Sequence, residues 1–188
     1  DLMIYCYRVA GVVGLMMCPL IGVRDKRGYP FAIDLGLGMQ LTNISRDILE
    51  DAKNGRTYLP DDILQEANLD LITLSKEGHT PESLEQIVTT LLDRADEYYK
   101  SGYSGLSYIP LRRRFVILIA GEVYRHIGVK IRKNKTNVLG GRVYLNLFEK
   151  IFVTFKALKY VFKKQFWYSS PHQKELHSLI KELPGASV

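Results

Sequence analysis

Residues 36–51 read Gly36-Leu-Gly-Met-Gln-Leu-Thr-Asn-Ile-Ser-Arg-Asp-Ile-Leu-Glu-Asp51 and are the most informative stretch of this 188-residue chain. Apolar side chains recur there at three- and four-residue spacing, which is the period of an α-helix. At about 100° per residue, a row of glycine and polar residues lies beside the apolar row instead of opposite it. That row consists of Gly36, Gln40, Asn43, Asp47 and Asp51. The pattern predicts a helix whose polar ridge points into a cleft.

The acids Asp47 and Asp51 are one helical turn apart, so their carboxylates repel each other. At ~6 Å the repulsion is roughly 0.7 kcal/mol in water and about 3 kcal/mol at an effective dielectric of about 20. The pair is therefore cheap on an open surface and costly in a cleft, unless a cation lies between the carboxylates. Mg²⁺ is the natural candidate, because one or two carboxylates and substrate phosphates usually bind it. A solvated acidic helix face is the alternative.

Neighbouring residues favour the metal hypothesis. Gln40 and Asn43 lie on the same face as the acids, and the segment Gly55-Arg-Thr-Tyr-Leu-Pro60 follows them. Arg46 and Arg56 carry guanidinium groups suited to the phosphate oxygens that a metal would bridge.

Length and composition indicate one globular domain over residues 1–188. The chain is 46% hydrophobic and 24% charged, which excludes disorder and leaves enough apolar residues for a core. Two cysteines, Cys6 and Cys18, cannot form a disulfide framework, and a reducing, cytoplasmic setting is expected. No apolar run reaches the ~18 residues needed to span a bilayer. The chain begins at Asp1 inside an apolar helix, so we expect a fragment of a longer protein.

Helical spacing recurs along the whole chain, and no segment shows the alternation of a strand. An all-α bundle is therefore predicted. The expected helices run from Leu2 to Leu20, from Pro30 to Lys53, from Pro60 over a short stretch, from an N-cap at Thr80 to Gly102, from Pro110 to Lys133, from Val143 to Trp167, and from Ser170 to Glu182.

The net charge of +6 is unevenly distributed. Residues 34–100 carry 6 basic and 14 acidic groups, whereas residues 111–164 carry 14 basic and 2 acidic groups. The basic half suggests an anionic partner, such as a phosphorylated substrate or a membrane surface. The acidic half would repel a polyanion, so no nucleic-acid partner is expected for the basic cluster Arg112-Arg113-Arg114.

Two stretches together resemble the squalene/phytoene synthase family of head-to-head prenyltransferases, and within it the bacterial phytoene synthases. The run from Tyr5 to Gly14 is similar to the family's tyrosine–cysteine motif followed by Val-Ala-Gly. The run from Gln40 to Pro60 matches its second aspartate-rich motif with one or two positions altered at most. A weaker similarity continues at Glu122-Val-Tyr-Arg125 and Gly141-Arg-Val143, to about residue 150.

This resemblance implies an isoprenoid-synthase-type helical bundle and a role for each matching residue. Asp47 and Asp51 would bind Mg²⁺, or Mn²⁺, that bridges a prenyl diphosphate, supported by Asn43 and Gln40. Arg46, Arg56 and Arg142 would contact diphosphate oxygens, Tyr5 and Tyr124 would lie near the reacting carbons, and Ala10 and Gly14 would line the prenyl tunnel. The family's first aspartate-rich motif would lie upstream of Asp1, so an N-terminally truncated and by itself inactive domain with an exposed apolar cavity wall is expected.

The implied activity is the condensation of two geranylgeranyl diphosphates to phytoene through a cyclopropylcarbinyl diphosphate, with release of pyrophosphate. Phytoene formation ends with loss of a proton and needs no NADPH. One alternative is a squalene or dehydrosqualene synthase that uses farnesyl diphosphate. Another is a non-catalytic, membrane-associated scaffold, and other isoprenoid-pathway enzymes are expected partners in either case.

The aromatic residues near the C-terminus allow two interpretations. Phe148, Phe152, Phe155, Phe162 and Phe166 form a stripe flanked by lysines, and a stripe of this kind is usually core. It can instead rest on an anionic membrane, which suits a lipid substrate and places the protein peripherally on the inner face of a membrane. The four histidines show no metal-ligand spacing, so core or surface roles are expected for them.

Overall fold

The predicted central helix is present as α2 (Tyr29–Lys53) in the computed structural model, which describes residues 1–187. Pro30 lies in its first turn, where a missing N–H costs nothing. Its buried apolar row includes Leu37, Leu41 and Ile44. The helix ends before Gly55, which has φ +67°, as the Asn-Gly pair predicts.

The first helix, α1 (Leu2–Leu20), also has its predicted bounds. It contains one unpredicted π-helical turn at Tyr7–Gly11. Such turns insert an extra residue and change the direction in which the following side chains point. The helix ends just before Gly22, which has φ +83°.

The remaining helices are α3 (Asp61–Glu66), α4 (Leu71–Glu77), α5 (Glu82–Ser104), α6 (Leu111–Lys133), α7 (Leu147–Leu158) and α8 (Lys164–Trp167), with short 3₁₀ turns at Lys26–Gly28, Leu106–Tyr108, Lys159–Phe162 and Lys174–His177. No strand occurs in residues 1–187, so the predicted all-α class is confirmed. Helix α4 was not predicted, although its N-cap is visible in the sequence: the Asp70 carboxylate accepts from the Ile72 N–H and the Thr73 hydroxyl.

The prediction that Thr80 is the N-cap of α5 is wrong, because the cap position is Pro81. The Thr80 hydroxyl instead donates to the Asn137 side chain at 2.9 Å and accepts the Leu139 N–H at 3.1 Å. The Thr80 hydroxyl therefore bonds to residues distant in the sequence instead of capping the helix.

The helix predicted from Val143 to Trp167 is wrong in its bounds. Asn146 and Glu149 form a reciprocal capping box that starts α7 at Leu147, and extended geometry at Lys163 separates α8 from it. The helix predicted from Ser170 to Glu182 is also wrong, because that segment contains only a 3₁₀ turn and other turns. Side-chain bonds from the helices hold this tail: the Tyr7 hydroxyl donates to the Pro184 carbonyl and the Tyr98 hydroxyl to the Leu176 carbonyl.

Helix α2 lies between α1, α5 and α6. Against α5, Gly102 fits over the backbone of Leu35, and the hydroxyls of Thr42 and Tyr99 are 3.1 Å apart. Against α1 the contact is closer: a Cβ at Gly14 would lie 2.3 Å from the Ala32 carbonyl oxygen, and one at Gly36 would lie 2.5 Å from that of Ala10. These contacts fix the positions of the helices that bound the site.

One helix among the described residues, α1, is long and apolar enough by length and composition to cross a membrane. The expectation that no stretch is suited to a span needs this correction, because Arg8 interrupts the apolar run without breaking the helix. In the structure α1 packs along α2 through the glycine contacts just described, as a helix of the bundle does.

Candidate active site

A largely apolar cavity of about 350 Å³ lies between α1, α2, α5 and α6. Its walls include Val9, Ala10, Val13, Gly14, Met17, Phe31, Leu35, Gly36, Met39, Gln40, Asn43, Leu106, Ile117 and Tyr124. Five residues predicted for the site are thereby brought together: Ala10, Gly14, Gln40, Asn43 and Tyr124. The α1 side chains at its mouth are exposed, with Val13 at 53%, so the cavity has an open apolar wall.

Gly14 lies in the cavity wall, as expected of it, and also makes a close helix–helix contact. It lines the cavity, but the Ala32 backbone occupies the place where its side chain would lie. The missing side chain therefore also allows the close crossing of α1 and α2. Gly36, on the polar ridge, makes the equivalent contact with Ala10.

The acids continue the same ridge beyond the cavity. Asp47 lies one turn past Asn43, about 6 Å along the helix axis, and Asp51 one turn further. Both are partly buried, and the Asp47 side chain is 19% exposed. The two acids are not part of the cavity lining itself; they lie past its polar end.

Two arginines bind Asp47. Arg46, which the helical wheel places off the ridge, turns back to pair with both carboxylate oxygens at 2.8 and 2.6 Å, and this hydrogen bonding raises the pKa of its guanidinium group. Arg142 approaches from the segment before α7, with Nε 3.1 Å from Asp47 Oδ1 and Nη1 2.7 Å from Glu50 Oε2. The structure thus brings Arg142 to the acids, as its proposed role requires.

Asp51 has a separate environment. Burial, followed by the negative charge of Asp47, raises the pKa of its carboxyl group above the usual value. Arg56 and Tyr58 line a small pocket with it, although the Arg56 side chain is mostly exposed. The ring of Tyr5 stacks on that of Tyr58 with centroids 5.1 Å apart. Burial, Tyr58 and to a smaller extent the Asp51 charge raise the pKa of the Tyr5 hydroxyl.

The donor atoms on the ridge fit a hard divalent cation. Asp47 and Asp51 offer carboxylate oxygens, and Asn43 Oδ1 is buried without a hydrogen-bond partner within residues 1–187. The Asn43 amide nitrogen is 3.4 Å from Gln40 Oε1, which leaves the Asn43 carbonyl oxygen free to act as a metal ligand. A buried acceptor without a partner is costly, and a bound cation would satisfy it. The all-oxygen set is the one that Mg²⁺ prefers.

Sequence reasoning missed a second polar cluster around Asp34. This carboxylate is fully buried and accepts from Ser101 Oγ at 2.6 Å, with Nε2 of His172 at 2.8 Å and of His177 at 2.6 Å. At about 100° per residue, Asp34 lies about 160° from Gly36, on the opposite side of α2 from the ridge. The histidines are at hydrogen-bond distance, and the cluster fastens the C-terminal tail to α2. The one sign of this cluster in the sequence was an acidic residue, Asp34, within an apolar stretch of the helix.

Most of the phenylalanine stripe is not core, so the interpretation favoured by its spacing is wrong. Phe148, Phe152, Phe155 and Phe162 are between 63% and 90% exposed, and Phe166 alone is buried. The spacing correctly places Phe148, Phe152 and Phe155 on one face of a helix. It does not indicate whether that face is buried or exposed.

A family model described as squalene/phytoene synthase matches residues 1–149. The chain belongs to the squalene/phytoene synthase family. This confirms the resemblance that the Tyr5–Gly14 and Gln40–Pro60 stretches carry. Two curated members illustrate the match. The chain is 47% identical over 131 residues to a 15-cis-phytoene synthase of Enterobacter agglomerans, covering 70% of this chain and 44% of that protein. It is 42% identical over 151 residues to a phytoene synthase of Pseudescherichia vulneris, covering 80% and 48%.

Two solved structures confirm the isoprenoid-synthase-type fold. A dehydrosqualene synthase in complex with a ligand superimposes with a TM-score of 0.78 at 30% identity, covering 86% of this chain and 56% of that one. The squalene synthase HpnC of Alicyclobacillus acidocaldarius superimposes with a TM-score of 0.66 at 23% identity, which supports the fold alone. The chain spans about half the length of the curated relatives it matches.

Proposed function

We propose that the whole protein is a metal-dependent phytoene synthase, which condenses two geranylgeranyl diphosphates head to head and releases pyrophosphate. The observation that carries this proposal is the convergence of Asp47, Arg46 and Arg142 at the polar end of an apolar cavity. Curated relatives named phytoene synthase support the product class. The cyclopropylcarbinyl diphosphate intermediate and the absence of an NADPH requirement belong to the same proposal.

Mg²⁺ ions, or Mn²⁺ in their place, would be held along the ridge by Asp47, Asp51 and the Oδ1 atom of Asn43. Asn43 and Asp51 are about 12 Å apart along the helix axis, so they would bind different ions, with Asp47 between them. When bound, such an ion neutralises charge on a departing diphosphate. Gln40 Oε1 accepts from the Asn43 amide nitrogen at 3.4 Å, which leaves the Asn43 carbonyl oxygen available to an ion.

The arginines supply the remaining positive charge. In the structure Arg46 and Arg142 neutralise Asp47. When a cation occupies the carboxylate, their guanidinium groups become free to bind diphosphate oxygens, with two parallel hydrogen bonds in the best geometry. Arg56 is exposed and reaches the same end of the ridge next to Asp51. Positive groups fixed where negative charge develops lower the barrier to ionisation.

The cavity walls protect the carbon skeleton of the substrate. In the whole protein, apolar side chains of α1, α2 and α6 would exclude water, which would otherwise capture an allylic cation. Tyr124, on α6, lies in the wall of the cavity. The π face of its ring can offset positive charge on carbon. Tyr5 is not part of this lining; its ring stacks on Tyr58. Ala10 leaves room on the wall for the prenyl chain.

A squalene or dehydrosqualene synthase is the second candidate. The superposition with a dehydrosqualene synthase over 86% of this chain favours it. Product analysis separates the two: the whole protein is incubated with Mg²⁺ and geranylgeranyl or farnesyl diphosphate, with and without NADPH. Phytoene from geranylgeranyl diphosphate without NADPH supports the proposal. Product from farnesyl diphosphate alone supports the second candidate, and no pyrophosphate release from either rejects both.

Within residues 1–187, the two acids past the polar end of the cavity, Asp47 and Asp51, come from a single helix, α2. The 188-residue chain by itself is therefore proposed to be inactive, because a metal–diphosphate cluster held from one side lacks part of its ligands. Measurable synthase turnover by this chain alone would contradict that statement without affecting the family assignment.

A further inference from the structure

Helix α7 has an apolar side that faces solvent. This α7 face consists of Leu147, Phe148, Ile151, Phe152, Phe155 and Leu158, which are between 41% and 82% exposed. At about 100° per residue they cover an arc of about 140°. Val153 and Ala157 are fully buried on the opposite side, where α7 packs against α6. We infer that the α7 face binds the surface of a bilayer that contains anionic lipids.

Lysines border the face on both sides. On the helical wheel, Lys150 and Lys156 lie between the exposed apolar arc and the buried side, one on each flank. Both are exposed. A lysine at that position can keep its ammonium group at the headgroup level while its carbon chain follows the apolar surface. Because the buried side of α7 is fixed to α6, this geometry places the helix axis along a membrane surface, as in interfacial helices.

The segment after α7 continues the pattern. Phe162 in the 3₁₀ turn is 90% exposed, and Trp167 and Tyr168 are 46% and 67% exposed. Aromatic side chains of this kind are favoured at membrane interfaces. Lys159, Lys163 and Lys164 are also exposed. Exposed aromatic and basic side chains therefore continue along the chain beyond α7.

Charge complementarity selects an anionic lipid surface as the occupant. Residues 147–168 contain five lysines and a single acid, Glu149. The carboxylate of Glu149 pairs with Lys130 of α6 at 2.7 Å, so its negative charge is neutralised within the protein. Basic residues beside an apolar helix face attract the headgroups of anionic lipids. The inference uses none of the active-site residues and stands independently of the proposed synthase activity.

Vesicle sedimentation of the whole protein tests the inference. Vesicles of phosphatidylcholine alone are compared with vesicles that also contain phosphatidylglycerol, at low and high salt. The variant Phe148→Ser/Phe155→Ser removes two of the most exposed aromatic rings of the face, and Ile63→Ser/Ile72→Ser is the matched control on α3 and α4, where both residues are exposed. Lys156→Glu is compared with Lys76→Glu, an exposed lysine on α4.

Binding is expected to require phosphatidylglycerol and to weaken in high salt. The double serine variant should bind at least tenfold more weakly, and Lys156→Glu more than about fivefold, given the contribution of one basic residue near an anionic surface. Both controls should bind as the parent does, and all melting temperatures should be unchanged. Absence of vesicle binding, or equal binding by Phe148→Ser/Phe155→Ser, would overturn the inference. A lowered melting temperature of that variant, or its change from a dimer to a monomer, would also overturn the inference. Either result would show that protein, and not lipid, covers the face.

Discussion

Arg142 Nε lies 3.1 Å from Asp47 Oδ1, although the two residues are far apart in the sequence. The pairing joins the segment before α7 to the polar ridge of α2 and places a guanidinium group at the end of the apolar cavity. In the absence of a cation, Arg142 and Arg46 together stabilise Asp47 in its partly buried position. The same contact keeps two phosphate-binding groups beside the acids that would hold a metal.

We predict that Arg142→Gln lowers kcat/KM of the whole protein about a hundredfold, because fixed positive charge at a leaving group contributes on this scale. Its side chain is 45% exposed, so the melting temperature should change little. Arg132→Gln is the control. Arg132 lies on α6, away from the ridge, and also pairs with acids, Asp93 and Asp96. Equal activity of the parent and Arg142→Gln would remove Arg142 from the site.

Asp51→Asn should abolish metal-dependent binding of pyrophosphate without destabilising the chain. The raised pKa of Asp51 means that its charged form is disfavoured in the folded state. Removing a like charge one turn from Asp47 should leave the free energy of unfolding unchanged or raise it by up to about 0.5 kcal/mol at neutral pH. Calorimetric titration with pyrophosphate and Mg²⁺, together with thermal melting, measures both effects. Retained binding would show that Asp51 is not a ligand.

The glycine contacts between α1 and α2 should tolerate no side chain. Gly14→Ala and Gly36→Ala each place a methyl group against backbone that cannot rotate away, and each should cost about 1–3 kcal/mol of stability. Gly128→Ala is the control on α6, because its Cβ would meet only the flexible end of Leu92 at 3.1 Å. Chemical denaturation measures the difference. Stability losses no larger than that of the control would contradict the crossing described for α1 and α2.

The Asp34 cluster predicts a pH dependence of stability. Burial acts to raise the pKa of Asp34, but hydrogen bonds from His172, His177 and Ser101 outweigh it and lower the pKa. Burial acts to lower the pKa of His177, yet its bond to Asp34 raises the pKa overall. The contribution of Asp34 is present above its unfolded value of 3.8 and is lost as pH falls below it. That of His177 is complete below its unfolded value of 6.5 and is lost as pH rises through the folded pKa.

Stability from this pair should therefore be greatest between about pH 4 and 6.5. His177→Ala leaves a buried carboxylate short of a partner and should cost about 3–5 kcal/mol in that range. His79→Ala, an exposed histidine on the loop before α5, is the control. Denaturation curves that show the same pH profile for the parent and His177→Ala would contradict the assignment.

The sequence predicted those features that local spacing determines. The bounds of α1 and α2, the ridge from Gln40 to Asp51 and the family were available from residue types and their periods. What it could not predict depends on tertiary contacts. The Thr80 hydroxyl bonds to Asn137 instead of capping α5. Asp34 bonds to two histidines that are more than 130 residues away in the sequence.

The aromatic stripe shows the same limit. A helical period shows that Phe148, Phe152 and Phe155 share a side of α7, but only the packing against α6 shows that Val153 and Ala157 form the buried side. Arg46 is a further example: the wheel places it off the ridge, and its long side chain nevertheless reaches Asp47. The flexibility of a side chain is not encoded in the period of its helix.

The position of a bound cation tests the central claim most directly. Crystals of the whole protein grown with Mn²⁺ and pyrophosphate allow the metal to be located by its anomalous scattering. We predict a peak between the carboxylates of Asp47 and Asp51, with Arg142 turned from Asp47 to the pyrophosphate oxygens. A metal found only elsewhere, for example beside Asp34 and the two histidines of the tail, would contradict the account.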